Sequence, residues 1–106
     1  MSIPEITPAE FMSQRDQGTP LTLLDVREAW ELGVANVPGT LHIPMGEVAQ
    51  RLSEIDAAQP VVVLCRSGRR SLEVAKLLQQ KGYEVSNLAG GILAWSRDVD
   101  ATIPTY

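Results

Sequence analysis

The sequence predicts an α/β domain in which helices flank a mainly parallel sheet. Three observations predict it. Charge-free apolar runs, clearest in Val61-Val62-Val63-Leu64-Cys65, read as strands buried on both faces, as strands of parallel sheets are. Segments of helical period separate these runs, so strand and helix alternate with right-handed crossovers. At 106 residues the chain makes one compact domain, with no room for a second core.

Ile3 to Ile6 suits a short edge strand, because Pro4 cannot donate to a ladder. Thr7 as N-cap, Pro8 at the first helical position and Glu10 completing a capping box then start a helix. Ile6 and Phe11 are spaced for a hydrophobic staple, and Gly18 ends the helix after Gln17. Leu21 to Val26 is the second strand, and a helical turn from Glu28 to Leu32 follows it with Trp30 packing inward. Gly33 to Pro44 reads as a loop with a short strand, Thr40 to Ile43. Its His42 sits in an apolar alternation and reads as a packed or exposed scaffold residue in preference to a general base.

A helix from Gly46 to Asp56 presents Val48, Leu52 and Ile55 to the core and pairs Glu47 with Arg51. After the strand Val61 to Cys65, a helix from Leu72 to Lys81 buries Leu72, Ala75 and Leu78 or Leu77. Gly82 followed by Tyr83 fits a Schellman stop, with Tyr83 packed back on Leu78. Glu84 to Leu88 is the fifth strand. Gly90-Gly91 leads into a last helix carrying Ile92, Trp95 and Val99, and the tail from Thr102 to Tyr106 lies against the surface.

The apolar run ends on the only cysteine, and Arg66, Ser67, Gly68, Arg69, Arg70 and Ser71 follow it. In open parallel sheets ligands bind at the carboxyl ends of strands, where loops feed the next helix. Backbone N–H groups of a tight turn and a helix start converge there into an anion cradle. Together with three arginines this favours thiolate. A free cysteine titrates near ~8.5, and such surroundings can lower it to ~3.5–7.5. A buried apolar cysteine is the bland alternative, but burial alone does not place three arginines and a glycine in the next five residues. Asp25 and Arg27 leave the second strand at the same rim, where they read as caps and ion pairs of the loop backbone before direct chemistry.

A net charge of −4 and a pI near 4.8 give no basic footprint for nucleic acid. The arginines therefore form a local positive patch on an acidic protein, suited to steering a small anion. One cysteine rules out an internal disulfide, and with one histidine it leaves too few soft ligands for zinc or an iron–sulfur cluster. No cofactor is expected. The N-terminus lacks a basic and apolar leader and no stretch is long enough to span a bilayer, so a cytoplasmic protein is expected.

Four stretches together resemble the single-domain rhodaneses, the thiosulfate sulfurtransferases, over nearly the whole chain. They are Leu23-Leu24-Asp25-Val26-Arg27-Glu28, Val37-Pro38-Gly39-Thr40-Leu41-His42-Ile43-Pro44, the loop Val62 to Ser71, and Leu88-Ala89-Gly90-Gly91-Ile92-Leu93-Ala94-Trp95. The resemblance implies a three-layer rhodanese-like domain with a five-stranded sheet. It implies that Cys65 accepts a sulfane sulfur as a persulfide, that the N–H groups of Arg66 to Arg70 hold it, and that Arg70 or Arg66 binds the sulfonate of thiosulfate. Cyanide, a small thiol or a sulfur-carrier protein then removes the sulfur in a double displacement.

Asn36 stands where the family usually has histidine. The segment Val99 to Tyr106 looks like the tail of rhodanese domains fused to adenylyltransferases that activate sulfur-carrier proteins.

Two other functions compete. Phosphatases and arsenate reductases that share the fold carry Cys-x5-Arg, whereas here Arg70 falls one residue earlier and Ser71 takes that place. The second is a sulfur-carrier or docking module whose partner is a protein. With no second cysteine the persulfide cannot resolve internally, so the acceptor comes from outside.

Overall fold

A computed structural model describes residues 2–106. The strands and α-helices run in the order β1 (Glu5–Ile6), α1 (Pro8–Asp16), β2 (Thr22–Asp25), α2 (Ala29–Val34), β3 (Leu41–His42), β4 (Val61–Leu64), α3 (Arg69–Gln80), β5 (Val85–Leu88) and α4 (Gly91–Asp98). The strands form one sheet in the order β1-β5-β4-β2-β3, with every pair parallel. β4 is the middle strand, with Val63 opposite Leu24 on one side and Asn87 on the other.

The period of two along β4 divides the domain into three layers. Val61, Val63 and Cys65 face a core shared with Val74, Ala75 and Leu78 of α3. Val62 and Leu64 face a second core with Phe11 of α1 and Ile92 and Trp95 of α4. An uninterrupted apolar run is what a strand buried on both faces needs.

Local signals act where the sequence places them. The Glu10 N–H donates to Thr7 Oγ1 at 3.1 Å, and the Thr7 N–H donates to Glu10 Oε1 at 2.8 Å. Phe11 meets Trp95 with ring centroids 5.6 Å apart. At the end of α3 the Tyr83 N–H reaches the Leu78 carbonyl at 3.0 Å, around Gly82 at φ +90°. That is the expected Schellman stop.

Other elements differ from expectation. The segment Gly46 to Asp56 forms two 3-10 turns, Met45–Gln50 and Leu52–Glu54, instead of one helix. Gly46 and Val48 are poor helix formers, and closure of i to i+3 begins when the Glu47 N–H bonds the Pro44 carbonyl at 2.8 Å. Val48 and Ile55 are still buried, and Arg51 pairs with Glu47 at 2.9 Å and also with Glu54 at 2.7 Å.

Trp30, expected inside, is 66% exposed, while its neighbour Glu31 is 3% exposed. Adjacent helical residues point about 100° apart, and the inward place is taken by the carboxylate. β1 is shorter than Ile3 to Ile6. α3 starts at Arg69, before Leu72, and its buried face is Ser71, Val74, Ala75 and Leu78. The tail does more than lie on the surface: Ile103 is buried with the α1–α4 core, and Tyr106 reaches the carboxyl rim of the sheet. Among the described residues no helix is long and apolar enough to cross a membrane.

Candidate active site

β4 delivers Cys65 to the carboxyl edge of the sheet, beside the exit of β2, where the Val26 N–H bonds the Leu64 carbonyl at 3.0 Å. Gly68, at φ +103°, then turns the chain directly into α3. A left-handed residue favours glycine there, so the reactive loop is only Cys65 to Gly68. Arg69, Arg70 and Ser71 belong to the first turn of α3, whose N–H groups lack intrahelical partners.

Two helices shape this loop. The Ile92 N–H of α4 donates to the Cys65 carbonyl at 2.8 Å, and the Leu93 N–H donates to the Arg66 carbonyl at 3.2 Å. In a trans peptide the C=O and the following N–H point opposite ways. Holding those two carbonyls toward α4 therefore turns the N–H groups of Arg66 and Ser67 to the other side. The Gly68 N–H donates to Cys65 Sγ at 3.0 Å. Ser71 Oγ lies 3.3 Å from the sulfur and 2.5 Å from Asn87 Oδ1, while Asn87 Nδ2 donates to the Gly68 carbonyl at 3.0 Å. Asn87 thus ties β5 to the end of the loop at Gly68 and to the first turn of α3 at Ser71.

Cys65 is buried. Burial pushes its thiol up, but the Ser71 hydroxyl, whose one proton is shared with Asn87 Oδ1, and the N–H groups of Ser71, Gly68 and Ser67 outweigh it, so Cys65 titrates below an ordinary thiol. The ring of donors around the sulfur favours the thiolate over the thiol.

A second construction lies beside it. Arg27 and Asp25 are both fully buried, and Arg27 Nη2 meets Asp25 Oδ2 at 2.8 Å. Arg27 Nη1 donates to the Tyr106 hydroxyl at 2.9 Å, and that hydroxyl donates to Glu31 Oε2 at 2.6 Å. Glu31 in turn accepts from both terminal nitrogens of Arg70, at 2.5 and 2.8 Å. Charge alternates along this chain, which joins β2, the tail, α2 and α3. The Arg66 guanidinium donates to the main-chain oxygen of Tyr106 and lies 5.2 Å from its ring. His42 Nε2 carries a proton to the Arg27 carbonyl at 2.7 Å, a scaffold contact.

The expected residues therefore separate into groups. Cys65, Gly68 and Ser71 meet at the sulfur. Asp25 and Arg27 form a buried ion pair at the rim, and the Arg27 N–H donates to Asp25 Oδ1 at 3.0 Å. Ser67 and Arg69 are exposed. Arg66 and Arg70 have their side chains engaged by Tyr106 and Glu31.

Glu31, Asn87 and Tyr106 were not singled out from sequence. Only Glu31 carried a signal, as a carboxylate one position from a tryptophan on a six-residue helix. Two surface hollows, of about 580 and 220 Å³, lie along α1 and α4 and include no loop residue. The chemistry follows the sulfur and neither of these hollows.

Glu31 also sets an acid limit. The Arg70 guanidinium holds its carboxyl down, from 4.5 to about 2, against the opposing effect of burial and with help from Tyr106 and the Glu28 N–H. A carboxyl lowered on folding stabilises above its unfolded pKa, and that stability is lost as pH falls through the folded value. With Arg70 34% exposed, screening reduces the contribution to about 2 kcal/mol at neutral pH. Urea unfolding from pH 5 down to about 2 should show wild type losing this increment and converging on a Glu31→Gln variant. Parallel curves over that window would refute it.

Comparison with known proteins agrees with the geometry. The model of the Rhodanese-like domain matches residues 7–98. A sulfurtransferase of Allochromatium vinosum is 42% identical over 91 residues, covering 84% of this chain and 85% of the relative. YrkF of Bacillus subtilis, whose name contains the words sulfur carrier protein, is 38% identical over 96 residues, covering 90% of this chain and 52% of the relative. The maize adenylyltransferase and sulfurtransferase MOCS3-1 is 35% identical over 109 residues, 95% of this chain and 23% of the relative. The chain thus spans about half of one of these proteins and about a quarter of another. Among solved structures, a rhodanese-like domain protein from Staphylococcus aureus superposes with a TM-score of 0.85 at 25% identity, over 98% of this chain and 99% of that one.

Proposed function

Because the chain belongs to the rhodanese family, with residues 7–98 matching the domain, we propose that Cys65 relays a sulfane sulfur from thiosulfate or a persulfide donor to a thiophilic acceptor. The Cys65 thiolate attacks the sulfane sulfur of the donor. The S–S bond of the donor breaks, sulfite or a thiolate leaves with the electron pair, and Cys65 carries a persulfide. The acceptor then attacks the outer sulfur, and Cys65 leaves as thiolate. No net oxidant is used.

The observation that supports this most is the size of the cradle. Gly68 closes it after three residues and its N–H lies 3.0 Å from Sγ, which suits one added sulfur atom. A phosphatase needs an arginine wrapped over a tetrahedral oxyanion. Here Arg70 is turned to Glu31, with contacts of 2.5 and 2.8 Å.

These 106 residues hold no second cysteine, so the acceptor is a group outside them. A sulfur-carrier protein is the second reading, supported by the names of YrkF and MOCS3-1 among the relatives. We place the protein in the cytoplasm, where persulfide and thiol acceptors are kept reduced. An assay supplying thiosulfate with cyanide, and separately an aryl phosphate, tests the reaction class. Thiocyanate should form, and no phosphate should be released. Phosphate release that depends on Cys65, with no thiocyanate, would replace this reading with a phosphatase.

A further inference from the structure

Two of the three cations beside Cys65, Arg66 and Arg70, are already engaged. Glu31, 3% exposed, grips Arg70 through two contacts of 2.5 and 2.8 Å. Tyr106 locks that carboxylate with a 2.6 Å hydrogen bond, and its main-chain oxygen takes the donors of Arg66. Arg69 alone of the three is exposed with no partner among the described residues. Arg70 stands on the first turn of α3, next to Ser71, whose hydroxyl lies 3.3 Å from Cys65 Sγ.

Two donor classes differ in what they ask of such a site. Thiosulfate is a dianion whose sulfonate is held best by an unpaired guanidinium close to the sulfur. A persulfide group carries at most one charge, on the sulfur that enters the N–H cradle, and has no sulfonate for a guanidinium to pair with. The Glu31 carboxylate on Arg70 neutralises it before any donor arrives, and repels a dianion approaching a thiolate.

We infer that Glu31 is a specificity-determining residue that, by occupying Arg70, tunes the site toward persulfide donors and away from dianionic thiosulfate. This rests on the sulfurtransferase reading above. The transfer is R–S–S⁻ plus Cys65–S⁻ giving R–S⁻ plus Cys65–S–S⁻: the donor S–S bond breaks, a new one forms at Cys65, and R–S⁻ leaves with the electron pair. Glu31 touches neither donor nor sulfur and acts through Arg70.

The test compares loading of Cys65 from thiosulfate and from cysteine persulfide, followed by intact mass against time, in wild type, Glu31→Gln and Glu31→Gln/Arg70→Gln. Removing the carboxylate frees Arg70, so the thiosulfate-to-persulfide ratio of kcat/KM should rise about tenfold, chiefly through a lower KM for thiosulfate. Salt should erode that gain. The double variant, with neither charge, should return to within about twofold of the wild-type ratio, and it keeps the test decisive if the single variant folds poorly. A flat ratio in loaded, folded Glu31→Gln overturns the role of Glu31 alone, as does a double variant that matches the single one. Failure of wild type to load from either donor overturns the sulfurtransferase reading, and this inference with it.

Discussion

Gly91→Ala should unfold at markedly lower denaturant and load sulfur poorly. Gly91 sits at φ +60°, and a Cβ there would meet the carbonyl oxygens of Cys65 and Arg66 at 2.5 Å each. Those atoms are backbone and cannot rotate away. They are also the acceptors for the Ile92 and Leu93 N–H groups, the contacts that aim the loop N–H groups at the sulfur. Left-handed strain of about 1–2 kcal/mol adds to two weakened hydrogen bonds, for a loss of about 3 kcal/mol or more. A displaced cradle should slow loading about a hundredfold. Gly33→Ala is the control: its Cβ meets nothing within 4 Å and its backbone is helical, so alanine should be neutral or stabilising by up to about 1 kcal/mol. A Gly91→Ala protein with wild-type midpoint and loading would contradict the role given to α4.

Arg27→Met should cost about 3–5 kcal/mol, because it leaves Asp25 charged and unpaired in the core. Both side chains are fully buried, and Arg27 Nη1 also supports Tyr106. Against a typical total of about 5–15 kcal/mol, the variant should be partly unfolded at moderate temperature. Asp25→Asn/Arg27→Met should recover part of the loss, since no buried charge then remains. Thermal and urea unfolding of the three proteins measure this. Equal stability of Arg27→Met and wild type would show that the pair is not the brace of the rim.

What could be read in advance was whatever depends on near neighbours. Thr7-Pro8-Glu10 starts α1, Gly82-Tyr83 ends α3, and the run from Val61 to Cys65 becomes the central strand with Cys65 at its carboxyl edge. Each rests on contacts within a few residues or on a strand period. The second construction was hidden because its contacts are long-range. Arg70 and Glu31 are 39 positions apart, and Tyr106 is 75 from Glu31 and 79 from Arg27. Asn87 looked like any strand residue until β5 was placed beside β4, where it bonds Ser71 and Gly68. Trp30 was misplaced for the same reason, since the inward position on α2 is decided by a partner on α3. The 3-10 turns show a different failure, because core spacing at Val48, Leu52 and Ile55 fits two helix types and the hydrogen-bond pattern is not written in it.

The central claim is that Cys65 itself carries the sulfur between donor and acceptor. Intact-protein mass spectrometry tests it most directly, with the protein treated first with thiosulfate or cysteine persulfide and then with cyanide, alongside Cys65→Ser. Wild type should gain one sulfur atom and lose it to cyanide, and the serine variant should gain none. A wild-type mass unchanged by both donors, or a gain that persists in Cys65→Ser, would contradict the account.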